Sequence, residues 1–148
     1  KVFDHYVEDP SNEMDKFQRV KLRKLILNFK REGLDFDKLQ LTIKNLASSN
    51  KAINQIVYKN ISENVFFYNR KYILGPKFFL NPEEVVFRSL SNLIKKISKK
   101  EYPPRGRKII HLTNELRNRD KYKATLGGTI IEKIHNSVIV TEEKTKIR

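Results

Sequence analysis

The sequence predicts an α+β fold that is mostly helical, with short antiparallel strands in the middle and a C-terminal β-hairpin. Apolar residues recur at helical spacing over much of residues 17–57 and again over 86–97. β-Branched and aromatic runs divided by turn residues occupy 65–80 and 123–141. Because 39% of the 148 residues are hydrophobic and 10% aromatic, the chain has enough apolar material for a core.

The chain is strongly basic. It holds 31 Lys and Arg against 17 Asp and Glu, a formal net charge of +14, which favours an anionic partner. The Lys-, Asn- and Ile-rich composition of a low-GC genome gives the same charge without any such partner, so charge alone leaves both explanations open.

The sequence lacks cysteine, which excludes disulfides, thiolate zinc sites and cysteine nucleophiles in this stretch and is compatible with a reducing compartment. No apolar run approaches the length of about 20 residues that spans a bilayer. We therefore expect a cytoplasmic protein without a membrane segment.

An acidic loop is predicted to lead into a basic helix. Proline restricts the residue before it to extended conformations, and Ser and Asn side chains cap helices. The helix should run from about Asn12 to Lys30 and stop at Gly33, and every charge in 16–31 is positive. We expect four residues to shape the preceding loop: Asp9, Pro10, Ser11 and Asn12.

A second helix should begin at Asp35 or Asp37, either of which can cap it. Residues 48–50, Ser-Ser-Asn, either divide this segment into two helices or form a polar stretch in one long helix. The short connection around Gly33 predicts that the two helices pack as an antiparallel pair. The apolar stripe of the second helix comprises Leu39, Ile43, Leu46, Ile53 and Val57.

Apolar runs at 65–68, 72–74 and 78–80, separated by turn residues, predict strands or a tight hairpin. Asn81 is expected to cap the next helix, with Pro82 in its first position and carboxylates in its first turn. That helix should end in lysines and bury five apolar side chains: Val86, Leu90, Leu93, Ile94 and Ile97.

Residues 102–108 are expected to form a stiff connector, because two prolines restrict its backbone. A short helix should follow and end near Asn118, with Ile109, Leu112 and Leu116 on one face. Residues 123–134 predict a strand interrupted by a bulge or close backbone approach at Gly127-Gly128. After a turn at 135–137, residues 138–141 should pair with it, and 142–148 should be a frayed end.

Two groups of cations are the candidate functional residues. Arg19 and Arg23 lie four residues apart, hence on one helix face, and each planar guanidinium can hold two phosphate oxygens. A solvated basic face explains the same spacing. The second group joins a lysine-rich helix end to the connector and suits a sugar-phosphate backbone. Its members are Lys95, Lys96, Lys99, Lys100, Tyr102, Arg105, Arg107 and Lys108.

Tyr102 and the three histidines are further candidate functional residues. Tyr102 is expected either to stack on a base or to pack on Pro103. The histidines His5, His111 and His135 are far apart and none has a second ligand three or four residues away, so the sequence predicts no metal site.

Two separated segments resemble the bacterial tRNA(Ile)-lysidine synthetases, in particular their alphaproteobacterial branch. Residues 8–12, Glu-Asp-Pro-Ser-Asn, and 17–23, Phe-Gln-Arg-Val-Lys-Leu-Arg, are similar to the segment that closes the family's catalytic domain. Residues 101–105, Glu-Tyr-Pro-Pro-Arg, and 124–131, Ala-Thr-Leu-Gly-Gly-Thr-Ile-Ile, are similar to its C-terminal part. The family's ATP-binding loop, Ser-Gly-Gly-x-Asp-Ser, does not occur in this sequence, whose first residue is Lys rather than Met.

This resemblance implies the C-terminal portion of a longer enzyme. Residues 1–33 would form the end of the N-terminal catalytic domain with its connecting helix, and 34–148 a helical and β-hairpin region that binds tRNA. The intact enzyme would be an ATP-dependent ligase that joins lysine to the wobble cytidine of the isoleucine tRNA with a CAU anticodon. Its ligands would be tRNA, lysine and ATP with Mg²⁺, with the ATP site mostly outside this chain. A homodimer remains open.

By the same resemblance, Arg19 and Arg23 would handle phosphate, adenylate or tRNA in catalysis, and the second cation group would hold the tRNA body. This chain alone should be inactive. The alternative is a non-enzymatic basic RNA- or DNA-binding module, and a third interpretation is a protein-interaction domain whose charge is incidental.

Overall fold

The computed structural model describes residues 10–143, with side chains described from residue 18 onward. The chain forms two compact units, Lys1–Ser48 and Ser49–Arg148. The predicted fold class is confirmed, whereas the domain boundary after residue 33 stays a prediction. The helices are α1 (Pro10–Arg31), α2 (Phe36–Asn64), α3 (Glu83–Ser98) and α4 (Gly106–Asn118). The strands are β1 (Val65–Tyr68), β2 (Lys71–Leu74), β3 (Lys121–Leu126), β4 (Thr129–Ile134) and β5 (Ser137–Glu142).

In the first unit, α1 begins two residues earlier than expected. Pro10, Ser11 and Asn12 therefore lie in its first turn rather than in a loop, and Asp9 lies outside the described residues. Proline suits this position because the first helical N–H has no intrahelical partner to lose. The predicted stop is confirmed: α1 ends at Arg31, and Gly33 follows with φ 88°.

Asp35 caps α2, since its Oδ1 accepts hydrogen bonds from the N–H groups of Asp37 at 3.0 Å and Lys38 at 3.2 Å. The helix continues to Asn64, so the polar stretch at 48–50 forms part of one long helix. Of the predicted stripe, Val57 is buried, while Leu39, Ile43 and Leu46 are exposed.

The expected packing of α1 against α2 is wrong. Five large apolar side chains of α1 are 48–59% exposed, namely Val20, Leu22, Leu25, Leu27 and Phe29, and Ile26 is half-buried. At 100° per residue, Val20 and Leu27 lie on one side of the helix, and Leu22, Leu25 and Phe29 on the opposite side. A single neighbouring helix cannot cover both sides.

The second unit is built on an antiparallel sheet in the order β1-β2-β5-β4-β3. The predicted middle hairpin is confirmed: Asn69 and Arg70 turn it with φ 47° and 59°, as a two-residue hairpin turn requires. The pairing of 138–141 with the preceding strand is also confirmed. The single interrupted strand is wrong, because Gly127 and Gly128 at φ 65° and 88° form the turn between β3 and β4.

One pairing has no local signal in the sequence. β2 pairs with β5 in the register Tyr72↔Val140, Ile73↔Ile139 and Leu74↔Val138, which joins the two hairpins into one sheet. Leu74, Val138 and Val140 on its inner face are at most 1% exposed and form the core with α3 and α4.

The apolar faces predicted for α3 and α4 are confirmed. The five expected side chains of α3 are at most 5% exposed, and Ile109, Leu112 and Leu116 of α4 are at most 3% exposed. Residues 78–80 form part of a 3₁₀ helix, Pro76–Leu80, rather than a strand. Glu142 belongs to β5 rather than to a frayed end, and residues 144–148 lie outside the described part.

The expected cap at Asn81 is wrong, because Asn81 serves a buried polar network instead. Pro82 holds the N-cap position of α3 without a side-chain cap, and Asn81 donates its amide to Oδ1 of Asn60 at 2.9 Å. Asn60 is 3% exposed and donates to Phe78 O at 3.3 Å and Ser89 Oγ at 3.1 Å. One buried amide thus ties α2 to the 3₁₀ helix and to α3.

No helix within residues 10–143 has the length and apolar character needed to span a membrane.

We predict that Asn60→Leu destabilises the second unit by about 1–3 kcal/mol, because buried groups that bond to Asn60 lose their partners. Urea unfolding should show a lower midpoint with an unchanged slope. The matched control is Asn92→Ala on the exposed side of α3, which should change the free energy of unfolding by less than about 0.5 kcal/mol. An Asn60→Leu protein as stable as the control would contradict this role.

Candidate nucleic-acid interface

The second cation group forms an exposed strip from the end of α3 to the start of α4, which we call the basic ridge. It comprises Lys95, Lys96, Lys99, Lys100, Tyr102, Arg105, Arg107 and Lys108, all of them exposed. Within residues 95–108, seven cations stand against a single carboxylate, Glu101. The structure thus brings together all eight residues proposed from the sequence, although their role stays a prediction.

The ends of two helices shape the ridge. Lys95 and Lys96 occupy the last turn of α3, and Lys99 ends that helix in the left-handed conformation at φ 54°. Arg107 and Lys108, expected in the connector, lie in the first turn of α4, which begins at Gly106. The connector proper is therefore shorter than predicted.

The β3–β4 turn packs against the segments that carry the ridge residues. A Cβ added at Gly127 would lie 2.7 Å from Pro104 Cγ and 2.9 Å from Ile94 Cγ2, so the turn packs directly on the connector and on α3. The expected close backbone approach at this glycine is confirmed. The side chain of Lys100 passes over Gly128, where an added Cβ would be 3.2 Å from its Cε.

Acidic side chains neutralise little of the positive charge of the ridge. Lys99 Nζ lies 3.6 Å from Glu142 Oε1, and both side chains are more than half exposed. Exposed pairs of this kind contribute about 0–1 kcal/mol. The ridge therefore keeps a positive potential over the end of the second unit.

Tyr102 is 73% exposed, so Pro103 does not cover its ring. Of the two sequence-based interpretations, packing on Pro103 is thereby disfavoured. An exposed aromatic ring between Lys100 and Arg105 can stack on a base.

A groove extends the ridge between α4 and the edge strand β3. Sequence reasoning missed its members His111, Tyr122 and Thr125 as functional candidates. His111 follows Arg107 by four residues, so helical spacing alone places the two side chains on one face. No sequence signal placed β3 beside them, since that contact is made in the tertiary fold.

A second cleft lies between the start of α3 and the middle and end of α4. Phe87 and Ile110 form its apolar part, and Glu83 and Glu84 line it as well. Arg117 Nη1 lies 3.7 Å from Glu83 Oε1. Two carboxylates make this cleft unsuitable for a phosphate backbone, so it is not part of the candidate interface.

The other cation pair belongs to the first unit. Arg19 and Arg23 are exposed and lie on one face of α1. The structure does not bring them together with the ridge in one compact unit, and their catalytic role stays a prediction.

The expectation that ATP and Mg²⁺ bind mostly outside this chain stays a prediction. No group of three or more His, Cys, Asp or Glu within the described residues is placed to hold a metal ion. The sequence contains no Ser-Gly-Gly-x-Asp-Ser loop, and Gly127-Gly128 is a hairpin turn packed on Pro104.

Comparison with known proteins confirms the resemblance. The chain is 28% identical over 146 residues to the tRNA(Ile)-lysidine synthase of Wolbachia sp. subsp. Brugia malayi (strain TRS), which covers 97% of the chain and 34% of that enzyme. It is 27% identical over 127 residues to the tRNA(Ile)-lysidine synthase of Ruegeria pomeroyi, covering 85% of the chain and 30% of that enzyme. The corresponding enzyme of Wolbachia pipientis wMel is 25% identical over 146 residues.

The chain thus spans about a third of the length of the curated relatives it matches. No protein-family model matches it.

We predict that Gly127→Ala destabilises the second unit by about 1–3 kcal/mol, since the new methyl meets Pro104 and Ile94 and the backbone has positive φ. Gly128→Ala is the matched control: it has the same kind of backbone strain but meets only movable side-chain atoms, Lys100 and Ser98. Urea unfolding should therefore show the larger loss for Gly127→Ala. Equal losses would mean that backbone strain alone, and not the close approach, fixes the turn.

Proposed function

We propose that this chain is the C-terminal portion of a tRNA(Ile)-lysidine synthetase, and that its second unit holds tRNA through the basic ridge. The observation that carries the proposal is the similarity to three such enzymes over 85–97% of the chain. The structure supports it by providing an exposed cationic surface of the kind that RNA-binding proteins use.

The ridge suits the RNA backbone. Lysine and arginine side chains neutralise phosphates and release counterions, which supplies affinity without base specificity. The first turn of α4 contains Arg107 and Lys108 and no acidic residue. Cations are unfavourable at the positive end of a helix, and a bound phosphate relieves that repulsion.

The first unit fits the same proposal. Arg19 and Arg23 are assigned to phosphate, adenylate or tRNA handling beside the catalytic domain, as the resemblance implies. Exposed apolar side chains on both sides of α1 and on the first half of α2 suit an interface with a further domain. We assign that interface to the catalytic domain of the proposed longer enzyme.

The intact enzyme would be a cytoplasmic, ATP-dependent ligase that attaches lysine to the wobble cytidine of the isoleucine tRNA with a CAU anticodon. ATP would adenylate the cytidine base with release of pyrophosphate, and the lysine amine would then displace AMP. This chemistry belongs to the catalytic domain, with Mg²⁺ and ATP bound there. The part described here would position the tRNA, and alone it should form no lysidine.

We predict that Arg105→Ala combined with Arg107→Ala weakens retention of the chain on immobilised tRNA by about tenfold at low salt, because two phosphate contacts are lost. The slope of log affinity against log salt should fall in magnitude by about 1.4–1.8, or 0.7–0.9 for each phosphate.

The charge-matched control is Lys51→Ala combined with Lys77→Ala, which removes two exposed cations of the same unit that are not part of the ridge. It should change retention less than about twofold, since it removes the same charge without a direct phosphate contact. If both double variants bind tRNA like the unchanged chain, the ridge is not the contact surface and a protein-interaction domain is favoured.

We also predict that the gene encodes a Ser-Gly-Gly-x-Asp-Ser loop upstream of Lys1 in the same reading frame, since an ATP-dependent ligase needs its phosphate-binding loop. Sequencing the locus decides this directly. A reading frame without that loop would contradict the ligase and favour the non-enzymatic basic RNA- or DNA-binding module.

A further inference from the structure

The sheet of the second unit has one covered face and one open face. The core side chains and both helices α3 and α4 lie on the covered side. On the open side, Phe66 and Tyr68 of edge strand β1 are 59% and 66% exposed. We call this side the outer sheet face. Large aromatic rings that are exposed on a sheet are typical of a binding surface.

The register shows how the rings are arranged. Side chains two residues apart on a strand share a face and are spaced by about 6.6 Å. Phe66 lies opposite Ile73 and Tyr68 lies opposite Lys71. One ring therefore has an apolar neighbour on the adjacent strand and the other a cationic neighbour. Phe67 points to the other side, where its ring packs 4.8 Å from that of Tyr72.

The outer sheet face and the basic ridge lie at the same end of the sheet but on opposite sides of it, because Glu142 pairs with Thr129, which is buried on the covered side. Tyr72 pairs with Val140, so the start of β2 lies beside the end of β5. The end of β5 carries Glu142, whose carboxylate lies 3.6 Å from Lys99 of the ridge. Arg70 and Lys71, which precede Tyr72, therefore stand at the same end of the sheet as the ridge.

We propose that Phe66 and Tyr68 form a stacking platform for unpaired nucleotides of RNA, at the same end of the sheet as the basic ridge. The inference rests on the proposed function and adds a second, base-stacking surface to it. Every base presents a π face, so two same-face rings beside lysine accept unpaired nucleotides with little sequence preference.

Charge favours RNA over a second copy of the chain as the occupant. The outer sheet face carries Lys71 opposite Tyr68 and Lys123 opposite Glu132, with Arg70 in the adjacent turn. Lys123 Nζ lies 3.7 Å from Glu132 Oε1, which leaves Lys71 and Arg70 to act on a partner. Two copies of a chain with net charge +14 repel each other, whereas a phosphate backbone is attracted.

The first test uses the absence of tryptophan from the sequence. Tyr68→Trp places a single reporter on the outer sheet face, and Phe67→Trp places one on the opposite side of the same strand. Addition of an oligouridine of about 12 nucleotides should quench the emission of the Tyr68→Trp chain and leave that of the Phe67→Trp chain unchanged. Equal quenching of both would overturn the platform, and so would no quenching of either.

The second test measures affinity by fluorescence anisotropy with labelled oligouridine and with a fully paired RNA duplex. Phe66→Ala and Tyr68→Ala should each weaken oligouridine binding about tenfold and change duplex binding less than about twofold. Tyr68→Phe should keep the affinity, because it keeps the ring. Phe67→Ala, which removes an equally exposed ring from the other side, should leave both affinities unchanged.

The outcomes separate this inference from the proposed function. Oligouridine binding that is insensitive to Phe66→Ala and Tyr68→Ala overturns the platform even if the ridge variants show tRNA binding. Suppose that Arg105→Ala with Arg107→Ala leaves tRNA retention unchanged while Phe66→Ala and Tyr68→Ala weaken oligouridine binding. The ridge is then not the tRNA contact surface, and the stacking platform is supported. The emission of the Tyr68→Trp chain can also be measured without RNA at several protein concentrations. A change with concentration would show that the outer sheet face binds a second copy of the chain, which would overturn the inference.

Discussion

The pairing of β2 with β5 is the constraint on which the second unit depends. An isolated hairpin of four-residue strands such as β1–β2 is marginal in water, and it becomes stable only as part of a larger sheet. The same pairing supplies Leu74, Val138 and Val140 as a continuous inner face for α3 and α4. Without it, the helices would cover only the three-stranded part of the sheet, β3 to β5, and Leu74 would lose its place in the core.

The register of this pairing also decides which side chains of the sheet are exposed. Because side chains alternate between faces, a slip of one residue between β2 and β5 would turn Leu74 outward and Ile73 inward. The burial of Leu74 at 0% exposure therefore fixes which side of the sheet stays open. Phe66 and Tyr68 are exposed because the core fixes the register of the sheet, and not because of a preference of their own part of the sequence.

Local patterns predicted the elements but not how they combine. The stripes of α3 and α4 and the turn at Asn69-Arg70 were legible because each depends on residues close in sequence. The β2–β5 pair joins segments more than 60 residues apart, for which a single sequence gives no signal. Asn81 was misassigned as a cap because the competing acceptor, Asn60, lies 21 residues away. The antiparallel helix pair failed because apolar residues on opposite sides of α1 do not form one stripe.

The charges of the candidate site can be predicted from the sequence, whereas the side chains that surround them depend on the tertiary fold. A run of lysines and arginines between two helices identifies the basic ridge without a structure, whereas its groove with His111 and Tyr122 exists only once β3 lies beside α4. Under the proposed function, the ridge would act through long-range Coulomb attraction, which salt weakens, whereas aromatic rings would act through direct stacking contact. Both surfaces lie at one end of the sheet but on opposite sides of it, so contact with both requires a partner that passes around that end.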